Sequence, residues 1–179
     1  MKLISFHKHT DKELVKSCLE NNRIAQKKLF DSYKDAMYTT AFRMLGNEHD
    51  ASDVLQETFI DVFENLSGFR FESTLGAWIK VILVRKALRK LKFQNDFQDL
   101  TDAEQLPNDG WNMDFTADDL DKAIQSLPDS ARAVFLLTEV EGFKHREIAS
   151  MLNISTGTSK SQLHYSKMLL RRKLKELRG

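Results

Sequence analysis

The sequence predicts an all-α protein in which two small helical domains are joined by an acidic linker. Only 7 Gly and 2 Pro occur in its 179 residues, too few for the turns that a β-sandwich or barrel needs. Apolar residues recur at helical spacing, and hydrophobic residues make up 41% of the chain, enough for a packed core. The helical spacing stops between residues 94 and 119. We therefore predict domains at 1–93 and 120–179 with a linker at 94–119.

Capping and stop signals predict the first two helices. Thr10 followed three residues later by Glu13 is the pattern of a capping box, which predicts a helix over Asp11 to Glu20. From Arg23 the apolar residues keep a helical period as far as Gly46, a residue type that adopts the left-handed conformation at helix ends without strain. The second helix is therefore long.

The third predicted helix has one apolar face and one acidic face. Asp50 is a suitable N-terminal cap, and apolar residues follow it at the spacing of an amphipathic helix. Between Glu48 and Glu64 the chain carries six acids and no Lys or Arg. Taken alone, such a face is most often simply solvated. Asp53, Glu57 and Asp61 share one helix face, but no His joins these three and no nucleophile or oxyanion donor is evident, which argues against a metal site or an enzyme.

An aromatic and cationic segment comes next. The run from Leu75 to Phe93 predicts a fourth helix with a buried side and a basic side, since six Lys and Arg and no acid occur between Lys80 and Lys92. Aromatic, basic and hydroxyl residues precede this helix, a composition that suits stacking of unpaired bases and binding of phosphates. The alternative is that Trp78 and the phenylalanines belong to the hydrophobic core, and for Trp78 the two interpretations are equally favoured.

Charge alternates in blocks along the chain, although the net charge is only +1. The acidic third helix is followed by the basic fourth helix and by a linker with eight acids and no Lys or Arg. The last segment carries seven basic residues against Glu176. Blocks of alternating sign predict several distinct charged surfaces on one chain.

The cysteine content and the N-terminus suggest where the protein works. Cys18 is the single cysteine, so an internal disulfide is excluded. The apolar patch at the N-terminus is only four residues long, too short for a signal peptide or a membrane span. We predict a cytoplasmic protein without membrane insertion.

The C-terminal segment predicts a helix-turn-helix. His145 to Leu152 predicts a short helix, Asn153 to Ser155 a tight turn, and Thr156 or Thr158 a cap for the last helix. Before this motif, a short helix from Leu120 and a second one begun by Pro128 complete the domain, with a core that includes Ala133, Val134, Leu137 and Val140. The core-facing residues predicted in the last helix are Leu163, Leu170, Leu174 and Leu177. Polar and basic residues fill its N-terminal half, which in such motifs meets base edges in the major groove. The alternative is an ordinary helical hairpin with a solvated basic face.

Three segments in this order resemble the extracytoplasmic-function sigma factors, the small class of the sigma-70 family that keeps only regions two and four. They are DASDVLQETFIDVFENLSGF, AWIKVILVRKALRKLKF and the helix-turn-helix that carries GTSKSQL. The resemblance covers roughly Asp11 to Leu177.

The resemblance implies three groups of site residues. The acidic helix would dock on the clamp helices of core RNA polymerase through Asp53, Gln56, Glu57 and Asp61. The minus-ten promoter element, as duplex and as unpaired non-template strand, would be opened and bound through Phe69, Arg70, Phe71, Ser73, Thr74, Trp78, Lys80, Arg85, Lys86 and Arg89. The minus-thirty-five element would be contacted through Thr158, Lys160, Ser161, Gln162, His164, Tyr165 and Lys167.

Some positions depart from the pattern of the family. Arg85 stands where Asn is usual and Arg89 where Asp is common, which favours phosphate contact in the fourth helix. In the last helix Ser159 replaces a common Val, and Gln162 and Tyr165 replace common Arg. Fewer cations there favour hydrogen-bond recognition of bases over phosphate attraction.

The sequence is therefore interpreted as a sigma factor that binds core RNA polymerase and directs promoter-specific initiation in response to a stress or envelope signal. It is expected to perform no covalent chemistry and to hold no metal or cofactor. The alternative is a stand-alone helix-turn-helix transcriptional regulator, which leaves the acidic helix and the aromatic loop unexplained. An anti-sigma factor is a further partner that the resemblance raises, although the sequence does not show that one exists.

Overall fold

The structure is a computed structural model that describes residues 3–91 and 116–176. Within those ranges every regular element is helical, which confirms the all-α prediction. The chain separates into two compact units, Met1–Lys90 and Leu91–Gly179. None of the described helices is both long and apolar enough to cross a membrane. The predicted linker lies mostly outside the described residues.

Four helices form the first unit. They are α1 (Leu3–Leu19), α2 (Arg23–Leu45), α3 (Glu48–Asn65) and α4 (Leu75–Lys90), with a 3-10 turn at Leu66–Gly68. The Asn22 side chain accepts hydrogen bonds from the N–H groups of Ile24 and Ala25 and so begins α2, and Gly46 ends it at a φ of 76° as predicted. Helices α2, α3 and α4 pack against one another. Their shared core includes Leu29, Met44, Val54, Val62, Ile79 and Leu83.

Three predictions about helix ends in this unit are wrong. Helix α1 begins at Leu3, so Thr10 lies inside it and does not cap it. Asn47 caps α3, since its side chain accepts a hydrogen bond of 2.8 Å from the N–H of Asp50. Helix α4 ends at Lys90, short of Phe93. Residue pattern locates a helix better than it locates the ends, where several neighbouring residues are able to cap.

The second unit is a bundle that contains the helix-turn-helix. Its helices are α5 (Ala117–Gln125), α6 (Asp129–Phe135), α7 (His145–Leu152) and α8 (Thr156–Glu176), with a π-helical segment at Leu136–Val140 that continues α6. Asn153 adopts the left-handed conformation at a φ of 54° and ends α7. Helix α8 packs against α5, α6 and α7. The helix, turn and helix therefore follow the predicted order.

Two predicted boundaries in this unit need correction. Helix α5 begins at Ala117, where Thr116 and Asp119 form a capping box, so the last three residues of the predicted linker are helical. The hydroxyl of Ser155 accepts a hydrogen bond of 2.9 Å from the N–H of Thr158 at the start of α8. Ser155 therefore caps α8 in place of the predicted threonines.

The core predicted for this unit is only partly correct. Leu170 and Leu174 are buried as expected, but Leu163 is half-buried and Val140 is exposed. Leu177 lies outside the described residues. The inward positions nearer the start of α8 are instead polar: Ser159, Gln162 and Ser166. An apolar-period argument misses such positions, because it assigns polar residues to solvent.

Candidate functional site

The outer face of α3 combines acids with one exposed apolar side chain. Gln56 and Glu57 are exposed, and Asp53 and Asp61 are half-buried, so the four predicted residues share a face as expected. Ile60 lies on that face at helical spacing from Gln56 and Glu57, and it is 57% exposed. Sequence reasoning missed Ile60 because it looked for apolar residues on the core stripe alone. An isoleucine off that stripe of an amphipathic helix is the signal that would have found it.

Two lysines of α4 pair with the acids of α3. Lys86 Nζ lies 2.8 Å from Asp61 Oδ2 and 3.7 Å from Glu57 Oε2. Lys90 Nζ lies 2.7 Å from Asp50 Oδ1 and 3.0 Å from Asp53 Oδ2. The expectation that the acidic and basic blocks make separate surfaces is therefore wrong for these two helices. Packing places the blocks against each other along one seam, which we call the α3–α4 ion-pair seam.

Hydrogen bonds in this seam shift the pKa values of Asp50 and Lys90 so that each favours its charged form. The hydrogen bond from Lys90, and next that from Asn47, lowers the pKa of Asp50 below its ordinary value. The hydrogen bonds to Asp50 and Asp53 raise the pKa of Lys90. Asp50 and Lys90 are therefore both charged at neutral pH.

A histidine also joins the acids at the start of α3, contrary to the sequence-based expectation. His49 Nδ1 lies 3.3 Å from Asp53 Oδ2, and ligand atoms of His49, Asp50 and Asp53 lie within 4.8 Å of one another. The ammonium group of Lys90 contacts both of these aspartates. Because Lys90 already compensates their charge, we assign the group to the ion-pair seam.

An aromatic cluster lies in the loop before α4 and in its first turn. The ring centroid of Phe69 is 4.6 Å from that of Phe71 and 5.3 Å from that of Trp78. Phe69 is buried and belongs to the core, whereas Phe71 and Trp78 are half-buried. Phe71 has a φ of 59°, a strained backbone for an aromatic residue, and Lys12 Nζ lies 5.7 Å from its ring centroid. Phe71 and Trp78 thus present the ring surface that remains available to a ligand.

The other predicted minus-ten residues differ in how far they are exposed. Arg70, Ser73, Thr74, Arg85 and Arg89 are exposed. The hydroxyl of Thr74 accepts a hydrogen bond of 3.2 Å from the N–H of Ala77 and so supports the first turn of α4. Lys80 is half-buried. The side chain of Lys86 is only 15% exposed and is held in the ion-pair seam.

The predicted minus-thirty-five residues on the first turns of α8 differ in exposure and in the direction of their side chains. Lys160 is exposed, and His164 and Lys167 follow at i+4 and i+7 on the same face. Thr158 and Ser161 are half-buried. Lys167 pairs with Glu139 at 2.9 Å. Tyr165 points elsewhere, into a shallow groove lined also by Pro128, Leu169 and Arg172.

Gln162 does not fit the role that the sequence suggested. Its side chain is only 2% exposed, and its Oε1 atom has no hydrogen-bond partner within the described residues. A buried side chain does not reach a base edge in the major groove. The assignment of Gln162 to base recognition is therefore corrected. Beside it Ser159 is fully buried, with its Oγ 2.9 Å from His145 Nδ1 across the turn.

Comparison with known proteins places this chain among transcription factors of one class. Its residues 29–96 match sigma-70 region 2, and residues 117–170 match sigma-70 region 4. The ECF RNA polymerase sigma factor SigW of Bacillus subtilis is 30% identical over 183 residues, which cover 93% of this chain and 97% of SigW. Together with the helical fold, these matches define a sigma-70-type factor.

Solved structures share the fold. CnrH in complex with the cytosolic domain of CnrY is similar with a TM-score of 0.56 and 22% identity, covering 93% of this chain and 97% of CnrH. The sigma factor RpoE of Bartonella quintana, in complex with the anti-sigma factor NepR, has a TM-score of 0.54 at 22% identity, covering 83% and 96%. The chain belongs to the extracytoplasmic-function sigma factors of the sigma-70 family. It binds core RNA polymerase and promoter DNA and directs transcription initiation, and the alternative of a stand-alone regulator is not favoured.

Proposed function

We propose that this sigma factor uses three separate surfaces, one for the polymerase and two for the promoter. The outer face of α3 would bind core polymerase, the aromatic cluster and the arginines of α4 would bind the minus-ten element, and the start of α8 would bind the minus-thirty-five element. The observation that carries this division is the charge pattern of the described surfaces. Acids surround an exposed Ile60 on α3, while Arg85, Arg89 and Lys160 are exposed on the other two surfaces.

The α3 face has the composition of a protein interface. An exposed apolar side chain surrounded by charged groups is typical of interface centres, where desolvation of the apolar group supplies affinity and the charges guide encounter. Asp53, Gln56, Glu57 and Asp61 supply the polar rim around Ile60. The complementary surface on the polymerase would be basic with an apolar recess.

The minus-ten surface combines ring surface with exposed cations. Phe71 and Trp78 are half-buried, so each keeps a part of its ring for stacking with an unpaired base. Arg70, Arg85 and Arg89 are exposed nearby in sequence and suit phosphate contact. Ser73 and Thr74 add exposed hydroxyl groups.

The minus-thirty-five surface is proposed without Gln162. Lys160, His164 and Lys167 share one face of α8, and Ser161 and Thr158 flank the same first turns. Helix-turn-helix proteins place this part of the second helix in the major groove. Lys160 donates well to the O6 and N7 atoms of guanine.

The proposal also covers the chemistry, the cellular location and the regulation of the factor. The factor performs no covalent chemistry, because its surfaces suit binding alone, and it works in the cytoplasm, where its polymerase is. A stress or envelope signal would set its activity. CnrH and RpoE were solved with CnrY and NepR, which supports an anti-sigma factor as the regulator of this chain as well.

Run-off transcription tests the proposal. Purified factor is mixed with core polymerase and genomic fragments, and the expected result is initiation from a restricted set of fragments that share two spaced elements. Lys160→Ala should relax preference at a base pair of the upstream element by about 1–3 kcal/mol, because a bidentate contact is lost. Lys175→Ala, an exposed lysine further along α8, is the matched control and should leave that preference unchanged. Polymerase binding without any selected fragment would contradict the promoter assignments.

A further inference from the structure

We propose that Lys86 and Lys90 couple polymerase binding to promoter binding. In the free factor both lysines are held by acids of α3, and polymerase would take over those acids and release the lysines to DNA phosphates. This inference rests on the proposed role of the α3 face in polymerase binding.

The two lysines cover successive turns of α3. Lys90 contacts Asp50 and Asp53, and Lys86 contacts Asp61 and, at a longer distance, Glu57. Each ammonium group thus faces two carboxylates. The Lys86 side chain is only 15% exposed, so solvent reaches it poorly in this arrangement.

The lysines of α4 and the polymerase would bind the same acids of α3. Asp53, Glu57 and Asp61 belong to the proposed polymerase face, yet lysines of α4 already neutralise part of their charge. A basic polymerase surface must therefore compete with the lysines for these carboxylates.

The ion pairs also reduce the attraction of these lysines for DNA phosphates. Two ammonium groups face four carboxylates along the ion-pair seam, so the local charge of this group is negative. A negative field beside Arg85 and Arg89 weakens phosphate attraction by the free factor. When cationic groups of the polymerase pair with the acids, the field along α4 becomes positive.

Coupling of this kind is reciprocal. If polymerase binding raises the affinity for DNA, then DNA binding raises the affinity for polymerase by the same factor. Ion pairs at partly exposed sites are weak, so each lysine should contribute a factor of about two to five. The pairs are thus strong enough to bias the free factor and weak enough to be exchanged.

The test replaces each lysine in the full chain. Lys86→Met and Lys90→Met free the α3 acids, so the affinity for core polymerase should rise by about two- to fivefold. Promoter complexes formed by the same holoenzymes should dissociate faster, and the salt dependence of DNA binding should weaken by about one unit per lysine. A purely structural role predicts a different result, in which both affinities fall together.

Lys27→Met is the matched control. Lys27 pairs with Asp31 at 3.1 Å on the surface of α2, a helix that contributes no residue to the proposed interfaces, so its loss should change neither affinity. Urea unfolding of each variant checks the fold. The more exposed Lys90 provides the same test where Lys86→Met unfolds.

Several outcomes would overturn the inference. Lower or unchanged polymerase affinity in a folded Lys86→Met variant would do so, as would loss of the fold in both variants, which would make the pairs structural. Failure of the wild-type chain to bind core polymerase through α3 would instead contradict the proposed function itself.

Discussion

The two units place their polar side chains in opposite ways. In the first unit the charged groups of the α3–α4 ion-pair seam lie at the edge of the bundle, and the core beneath is almost entirely apolar. In the second unit polar groups lie inside, among them Arg132, Ser159 and Gln162. Charges at an edge remain available to partners, whereas buried polar groups that have hydrogen-bond partners, such as Arg132 and Ser159, are committed to fixed neighbours. On our proposal the first unit exchanges its polar contacts with partners, whereas the second uses those of Arg132 and Ser159 to hold its own segments together.

The largest effect is expected at Arg132, which is 5% exposed. Its guanidinium donates to Leu127 O at 3.1 Å, Gln125 O at 3.3 Å and Asp129 Oδ1 at 2.6 Å. Arg132→Met leaves two carbonyl groups without these donors and should destabilise the second unit by about 2–4 kcal/mol. Urea unfolding followed by circular dichroism measures the change.

Asp129→Asn is the control for this variant. The Asp129 side chain is half exposed, so water compensates most of the lost charge and the effect should be well under 1 kcal/mol. Equal losses in both variants would mean that the ion pair, and not the buried carbonyl contacts, holds this part of the unit.

The next effect concerns polymerase affinity. Ile60→Ala should lower the affinity for core polymerase about tenfold, because the side chain loses apolar area that an interface would bury. Stability should change little, since Ile60 is mostly exposed. Ile24→Ala removes an even more exposed isoleucine on α2 and serves as the control. A similar loss of affinity in both variants would point to a general rather than a local apolar contribution.

A smaller effect, of opposite sign, is expected at Gln162. Gln162→Met removes a buried acceptor that has no partner within the described residues, and should leave stability unchanged or raise it by up to about 1 kcal/mol. Because the side chain is buried, the preferred minus-thirty-five sequence should not change. A binding selection on both proteins measures this preference. Altered preference at one base pair would restore the base-reading role that the sequence suggested.

The smallest effect should be the pH dependence of the ion-pair seam. Hydrogen bonds from Lys90 and Asn47 lower the pKa of Asp50, so its contribution to stability is present above the ordinary aspartate value of 3.8 and is lost as the pH falls through the lower folded value. The raised pKa of Lys90 adds stability that is lost only as the pH rises above 10.5. Asp50→Asn should flatten the acid side of the unfolding profile. An unchanged acid profile would mean that Asp50 adds no stability through this pair.

Much of the fold was determined by the sequence itself. Helical spacing of apolar residues located the helices, and Gly46 and Asn153 marked turns that the structure places in the left-handed region. These signals are local, because they depend on residues within a few positions of one another. The order of an acidic helix, an aromatic and cationic segment and a helix-turn-helix was likewise visible, and it led to the correct family.

Other features were decided only by the tertiary structure. Lys86 and Lys90 pair with α3 acids that lie 25 to 40 positions earlier in the sequence. No local sequence pattern predicts which of these charged residues the packing brings into contact. Gln162 is buried despite its polarity, in a unit where α8 packs against three other helices, and the sequence does not show which positions such packing covers. The sequence places Ile60 off the core stripe of Val54, Phe59 and Val62, but only the packing shows that its side chain stays mostly exposed. Helical periodicity assigns a face to each residue, but the neighbouring helices decide which faces are covered.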